Sequence, residues 1–252
     1  MYNPSMRSAI LRTRAALASH GVAGTAHLGA AALRDWRSLR RERAVDAAFD
    51  REHGVDTAGI IPLGALDATG RWASHGNRYE ATTPALFHRA LDGLQVDLSR
   101  FAFVDIGAGK GRALLLASEY PFRRVVGVEF SPTLVAVARG NVARWLEKER
   151  ACREITVECS DATEYDLPPE PLVLYFYNPF DRLVMREMLA RVRRSLRDHP
   201  RPVLLVLRGD PTLVDEVLAG GFSEYQEGRW PRVFSLDPSL ASGLAAVAVP
   251  TE

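Results

Sequence analysis

The chain has 252 residues, 47% of them hydrophobic and 25% charged, with a formal net charge of +1. That balance gives no bulk attraction for nucleic acid or a membrane surface, and the length suits one large domain with a modest extension. Two cysteines, Cys152 and Cys159, and six scattered histidines make neither a disulfide framework nor a four-ligand zinc pattern. They suit a reducing compartment. No apolar run reaches the ~18 residues a membrane span needs, and arginines interrupt the N-terminal stretch, so the expected location is cytoplasmic.

Residues 5–19 and 30–48 are rich in alanine and arginine, with apolar side chains at roughly helical spacing, and Gly21, Gly24 and Gly29 lie between them. Residues 1–43 carry eight arginines against two acids, Asp35 and Glu42. Two readings fit: amphipathic helices that cover a main domain, or a basic arm for a partner or nucleic acid. Residues 50–83 read as loop, with glycines at 54, 59, 64, 70 and 76; a loop this long is usually functional or disordered. Pro84 then opens a helix, ALFHRALDGL, with Thr83 at the N-cap position.

From residue 101 the chain alternates between short apolar runs and helical stretches. FAFVDI, RVVGVEF, EITVECS, LVLYFY and RPVLLVL read as strands. KGRALLLASEY, PTLVAVARGNVARWLEKER, RLVMREMLARVRRSL and PTLVDEVLAG read as helices, with Gly220-Gly221 ending the last. Such alternation predicts an α/β fold, a mostly parallel sheet with helices on both faces. FSEYQEG, RVFSL and GLAAVAVP supply closing, antiparallel strands. The expected organisation is an N-terminal helical extension over 1–50, an entry loop and lid helix over 51–99, and a core over 100–252.

FVDIGAGKGR sets Asp105 at the end of a buried strand, glycines at 107, 109 and 111, and a helix directly after. Glycine lets the chain turn tightly and lets a ligand approach the backbone, and a helix start offers free N–H groups. A dinucleotide loop needs a third glycine where Arg112 stands, and a P-loop needs Ser or Thr after Gly109-Lys110. Both fail. The pattern left is D-x-G-x-G-x-G.

That pattern resembles motif I of the class I S-adenosylmethionine-dependent methyltransferases. The resemblance covers about residues 75–250 and implies a Rossmann-like sheet of seven strands, one of them antiparallel. It implies S-adenosyl-L-methionine as cofactor, with Asp105, Gly107, Ala108, Gly109 and Gly111 at its methionine end. Glu129, closing the second strand, would accept the ribose hydroxyls, with Phe130 beside it. Ser160, Asp161 and Ala162 would meet the adenine. GNRYEATTP resembles the Y-x-x-T-P segment of non-SET lysine methyltransferases, which folds over the methionine end; this implies roles for Tyr79, Glu80 and Thr83. FDREHGVDTAG, residues 49–59, resembles a segment upstream of that loop in bacterial relatives.

YNPF, residues 177–180, resembles the N-x-F loop of enzymes that methylate nitrogen. Asn178 and the neighbouring carbonyl would orient an acceptor N–H, Pro179 would fix the backbone and Phe180 would form a wall, with Tyr79, Glu80 or Tyr177 assisting proton removal. A strand-ending turn is the plainer reading of the same residues. The expected function is methyl transfer to nitrogen, with a protein lysine favoured. A small-molecule methyltransferase acting on N, O or C, and a cofactor-binding module without catalysis, are the alternatives. No metal is expected, the acceptor is either protein or small molecule, and neither membrane nor nucleic acid is an expected partner.

Overall fold

The computed structural model describes residues 44–67, 71–225 and 231–236. The chain divides into two units, Met1–Ala48 and Phe49–Glu252. In the first, the described residues 44–48 are helical; the expected helix over 5–19 and the final strand GLAAVAVP lie outside the described residues. In the second, residues 49–53 are helical, inside the stretch expected as loop. No helix among the described residues is long and apolar enough to cross a membrane.

The second unit is built on a seven-stranded sheet. Its strands are β1 (Ala102–Ile106), β2 (Arg124–Glu129), β3 (Ile155–Cys159), β4 (Leu172–Tyr177), β5 (Val203–Arg208), β6 (Ser223–Glu224) and β7 (Arg232–Ser235). Their order is β3-β2-β1-β4-β5-β7-β6. All neighbours from β3 to β5 are parallel, and β7 alone runs against both β5 and β6. This is the seven-stranded, mostly parallel sheet with one antiparallel strand that the alternation and the resemblance implied.

Burial on both faces explains the near-continuous apolar strands. Phe103 of β1 packs into one core with Tyr175 of β4, beneath helices α1 (Pro84–Leu91), α2 (Arg112–Ala117) and α3 (Pro132–Trp145). Ala102, Val104 and Ile106 enter the other, beneath α4 (Arg182–Asp198) and α5 (Thr212–Ala219). Strand side chains alternate between faces, so one run serves two cores. The chain leaves β1 toward β2 and β3, then returns to β4 on the other side of β1. That reversal opens a crevice at the carboxyl ends of β1 and β4, where open α/β sheets bind ligands.

Helix starts are held by different means. Ser131 caps α3 by accepting from the Leu134 N–H, and Asp181 caps α4 by accepting from Leu183 and Val184. Thr83 holds the N-cap position of α1, yet its hydroxyl makes no capping bond. It lies 3.3 Å from the Tyr177 hydroxyl instead. Pro84 at the first helical position leaves one fewer free N–H at the helix start.

Candidate functional site

The glycine loop crosses the end of β1. Gly107, Gly109 and Gly111 all have positive φ, at 83°, 55° and 86°. A Cβ on Gly109 would lie 2.4 Å from the Tyr79 ring, and one on Gly107 would lie 3.5 Å from the Pro179 side chain. The loop is therefore sandwiched between the entry segment and the turn after β4. The Gly107 and Ala108 N–H groups donate to the Val128 carbonyl at 2.9 and 3.0 Å, binding the loop to β2.

Three acids stand around it. Glu129 is buried; its Oε2 accepts from the Gly109 N–H at 2.8 Å and its Oε1 from the Ser131 N–H at 2.9 Å. Burial raises its pKa, and those backbone donors pull the other way. Each carboxylate oxygen keeps a lone pair that a diol could use. Asp105 is paired in register with Tyr175 of β4. Burial, reinforced by the charge of Glu129, pushes Asp105 up to about 8. Beside it the Tyr175 hydroxyl is buried without a hydrogen bond of good geometry. Asp161 serves a turn, its Oδ1 accepting from the Thr163 N–H at 2.8 Å and hydroxyl at 2.7 Å. The turn reading of Asp161 is thus realised, and the residue also faces the crevice.

Three cavities meet at Gly107. One, of about 420 Å³, is an apolar slot walled by Trp72, Phe130, Ala162 and Phe180, with Ser160 and Asp161 at its rim. A second, of about 370 Å³, is lined by Asn77, Glu80, Glu129, Tyr177 and Asn178. The third, of about 260 Å³, is polar and holds Tyr79, Thr82, Asp105 and Arg112. Ser160 and Ala162 therefore line the apolar slot and Asp105 the polar cavity, while Phe130 and Tyr79 each also reach the cavity lined by Asn178. Thr83 is not among the residues lining any of the three; its neighbour Thr82 is. Gly111 turns the chain against α3, where an added Cβ would meet Ala138 at 3.2 Å.

The segment expected as loop is a strap over this glycine loop. Asp50 accepts from the Thr57 N–H (2.8 Å), the Ala58 N–H (2.6 Å) and the Thr57 hydroxyl (2.6 Å). Asn141, fully buried on α3, accepts from the Asp56 N–H and donates to the carbonyls of Asp56 and Lys110. Tyr79 reaches across to donate its hydroxyl to the Thr57 carbonyl at 2.5 Å. Residues 60–61 pair with 79–80 in a short antiparallel ladder. Sequence reasoning missed Trp72, Asn77 and Arg112. Arg112 left a signal: it is the sole charge in α2, RALLLA, a helix buried at every position.

Asn178 has φ of 50°, the one positive value outside glycine among the described residues. Its N–H donates to the Arg208 carbonyl at 2.6 Å, which holds the turn to β5. Its Oδ1 accepts from Asn77 at 3.3 Å, and its Nδ2 lies 3.5 Å from Glu80. Glu80 is clasped by Arg208 (2.6 Å) and Arg78 (3.0 Å), and the Arg208 guanidinium lies over the Tyr177 ring. Pro179 accepts from the Asn77 N–H, and Phe180 bridges Gly76. Phe180 was expected as an acceptor-side wall. It is buried against Phe176 and faces the apolar slot, because the bridge to Gly76 turns it there.

Residues 103–199 match the family model of the methyltransferase domain. That stretch runs from β1 through α4. No curated protein matches the chain. Among solved structures, the chain is similar to the pyocyanin biosynthetic protein PhzM at 16% identity and TM-score 0.45, over 60% of this chain and 54% of that one. It is also similar to a magnesium protoporphyrin IX methyltransferase from Synechocystis PCC 6803 (17%, TM-score 0.39, 60% and 74%) and an RNA methyltransferase from Salinibacter ruber (20%, TM-score 0.38, 61% and 90%). The match spans about half the length of the first of these.

The cofactor of this enzyme class is S-adenosyl-L-methionine, and the crevice fits its chemistry. A flat base suits the apolar slot, a diol suits the spare lone pairs of Glu129, and a charged amino-acid end suits the cavity of Asp105 and Arg112.

Proposed function

We propose that the enzyme transfers the cofactor's methyl group to a nitrogen acceptor, with the amine of a protein lysine as the favoured form. The observation that carries this reading is Asn178. A left-handed, non-glycine residue stores backbone strain, and such strain gathers where a side chain must be aimed. Here it aims an amide into the cavity that also holds Glu80 and Tyr177.

Bound there, the cofactor supplies a methyl group on a positively charged sulfur. The protein's part is positioning: an amine held by the Asn178 oxygen and by Glu80 would present its lone pair to that carbon. The amine must also lose a proton, and the Tyr177 hydroxyl and Glu80 carboxylate line the same space. Tyr79, expected to share in catalysis, is committed to Gly109 and Thr57 and would act by closing the site.

Incubation of the full chain with methyl-labelled cofactor and cell lysate tests the reading. Label in protein, stable to alkali and recovered as methyl-lysine, is the expected result. Label released as methanol by alkali would indicate a carboxyl oxygen, and label confined to small metabolites would replace the lysine with another acceptor.

A further inference from the structure

Arg208 closes β5, paired in register with Tyr177 of β4, and it touches Tyr177, Asn178 and Glu80 together. Its carbonyl accepts from the Asn178 N–H at 2.6 Å. Its guanidinium lies 4.5 Å from the centre of the Tyr177 ring, and its Nη1 donates to Oε1 of Glu80 at 2.6 Å. Arg78 takes the other oxygen of Glu80, at 3.0 and 3.2 Å. The Glu80 side chain is 15% exposed and that of Arg208 30%, so solvent screens their charges only in part. The other titratable groups lining the cavity are Tyr79, Tyr177 and Glu129, and Asp105 and Arg112 border the adjoining one. Glu129 is held by the Gly109 and Ser131 N–H groups, and burial keeps Asp105 up at about 8. Glu80 is the acid beside the Asn178 amide, 3.5 Å from its Nδ2, and two guanidiniums answer its one charge.

A carboxylate alone at that point would work against transfer to nitrogen. It would favour the ammonium form of an incoming amine, whose lone pair is taken by a proton and cannot attack carbon. A guanidinium nearby favours the neutral amine instead. Clasped from both sides, Glu80 keeps lone pairs that can accept an amine N–H while its charge is offset. We propose that Arg208 is a positioning residue for the acceptor: it fixes Glu80 against Asn178 and offsets its charge, so that the amine docks in its neutral form. The amine's proton then goes to solvent before attack. The nitrogen lone pair forms the new N–C bond as the C–S bond pair returns to sulfur, and no further reactant is needed. The inference rests on the amine-acceptor reading and deepens it by naming what sets the acceptor's protonation.

The test follows transfer of labelled methyl from S-adenosyl-L-methionine to heat-treated lysate protein, using the full chain from about pH 6 to about pH 10. The rate should rise with pH as the amine sheds its proton. In Arg208→Gln the midpoint should move up by about one pH unit, with the rate at the alkaline end within about three-fold of wild type. Arg208→Lys keeps the charge and should leave the midpoint within about 0.3 of a pH unit of wild type. Arg78→Gln alters a side chain that is 56% exposed and should move the midpoint the same way by less. It decides the matter if Arg208→Gln has lost cofactor binding through misfolding. A loss of rate equal at every pH, with the midpoint unmoved, would overturn the role of Arg208 while leaving the amine acceptor standing. Absence of label from protein amines with wild type at every pH would overturn the amine reading and this inference together.

Discussion

The glycine-loop half of the crevice and the Asn178 half are built from different materials. Around the glycine loop the contacts are buried and interlocked: Glu129 on Gly109, Tyr79 over Gly109, Asn141 and Asp50 on the strap. Around Asn178 they are part-exposed and charged, with Arg78 and Arg208 sharing Glu80 at the mouth. Buried, short-range contacts tolerate little change, whereas exposed ion pairs contribute ~0–1 kcal/mol each and adapt. Under the proposed function, the fixed half would serve an invariant cofactor and the adjustable half the acceptor.

The largest effect should come from the fixed half. Gly109→Ala adds a methyl group 2.4 Å from the Tyr79 ring at a φ of 55°. The ring cannot retreat without breaking its hydroxyl bond to Thr57. Cofactor affinity should drop about 100-fold, ~2.8 kcal/mol, by calorimetry. Pairing it with Tyr79→Ala should relieve the clash but lose the strap, so the double variant should bind better than Gly109→Ala alone. Unchanged affinity in the single variant would end the view of this half as rigid.

Asp105 sharpens the same contrast through pH. Its pKa in the folded protein stands near 8, against 3.8 for the ordinary group. A raised carboxyl pKa adds stability that is complete below the ordinary value and is lost as pH climbs through the folded one. Stability of the free protein should therefore decline from about pH 4 to pH 8, an effect on the order of a few kcal/mol that Asp105→Asn removes. A bound ammonium favours the ionised acid, so cofactor binding near pH 7 should release a proton and tighten as pH rises toward 8. Calorimetry in buffers of different ionisation enthalpy reads that proton directly. No proton release in wild type would detach Asp105 from the cofactor.

Asn178 tests the adjustable half. Asn178→Gly relaxes the left-handed backbone and should raise stability slightly or leave it level, while Asn178→Ala should cost about 1 kcal/mol. If the amide orients the acceptor, both variants lose at least ten-fold in turnover and neither loses cofactor affinity. Full turnover in Asn178→Gly would reduce the residue to a turn.

How much of this was readable depended on the range of the interaction. The sheet and the glycine loop follow from periodicity and from local backbone demands at 105–111, both of which lie within a dozen residues. The strap does not. Asp56 meets Asn141 across 85 positions and Arg112 meets Thr57 across 55, and no local pattern encodes either pairing. The bridge between Gly76 and Phe180 likewise spans more than a hundred residues.

Thr83 gives the smallest effect and separates a local rule from its tertiary override. As a working cap it would add about 1 kcal/mol, the amount expected to be lost in Ser131→Ala, where the hydroxyl does accept from the Leu134 N–H. Here the α1 start is met by backbone: the Thr83 carbonyl accepts from Leu86 and Phe87, and Pro84 has no N–H to satisfy. Thr83→Val keeps the side-chain shape and deletes only the 3.3 Å contact to Tyr177. Thermal unfolding should therefore place Thr83→Val within about 0.5 kcal/mol of wild type and Ser131→Ala clearly below both. Equal losses would return Thr83 to the helix. A level result with turnover altered several-fold would instead tie its hydroxyl, through Tyr177, to the acceptor half.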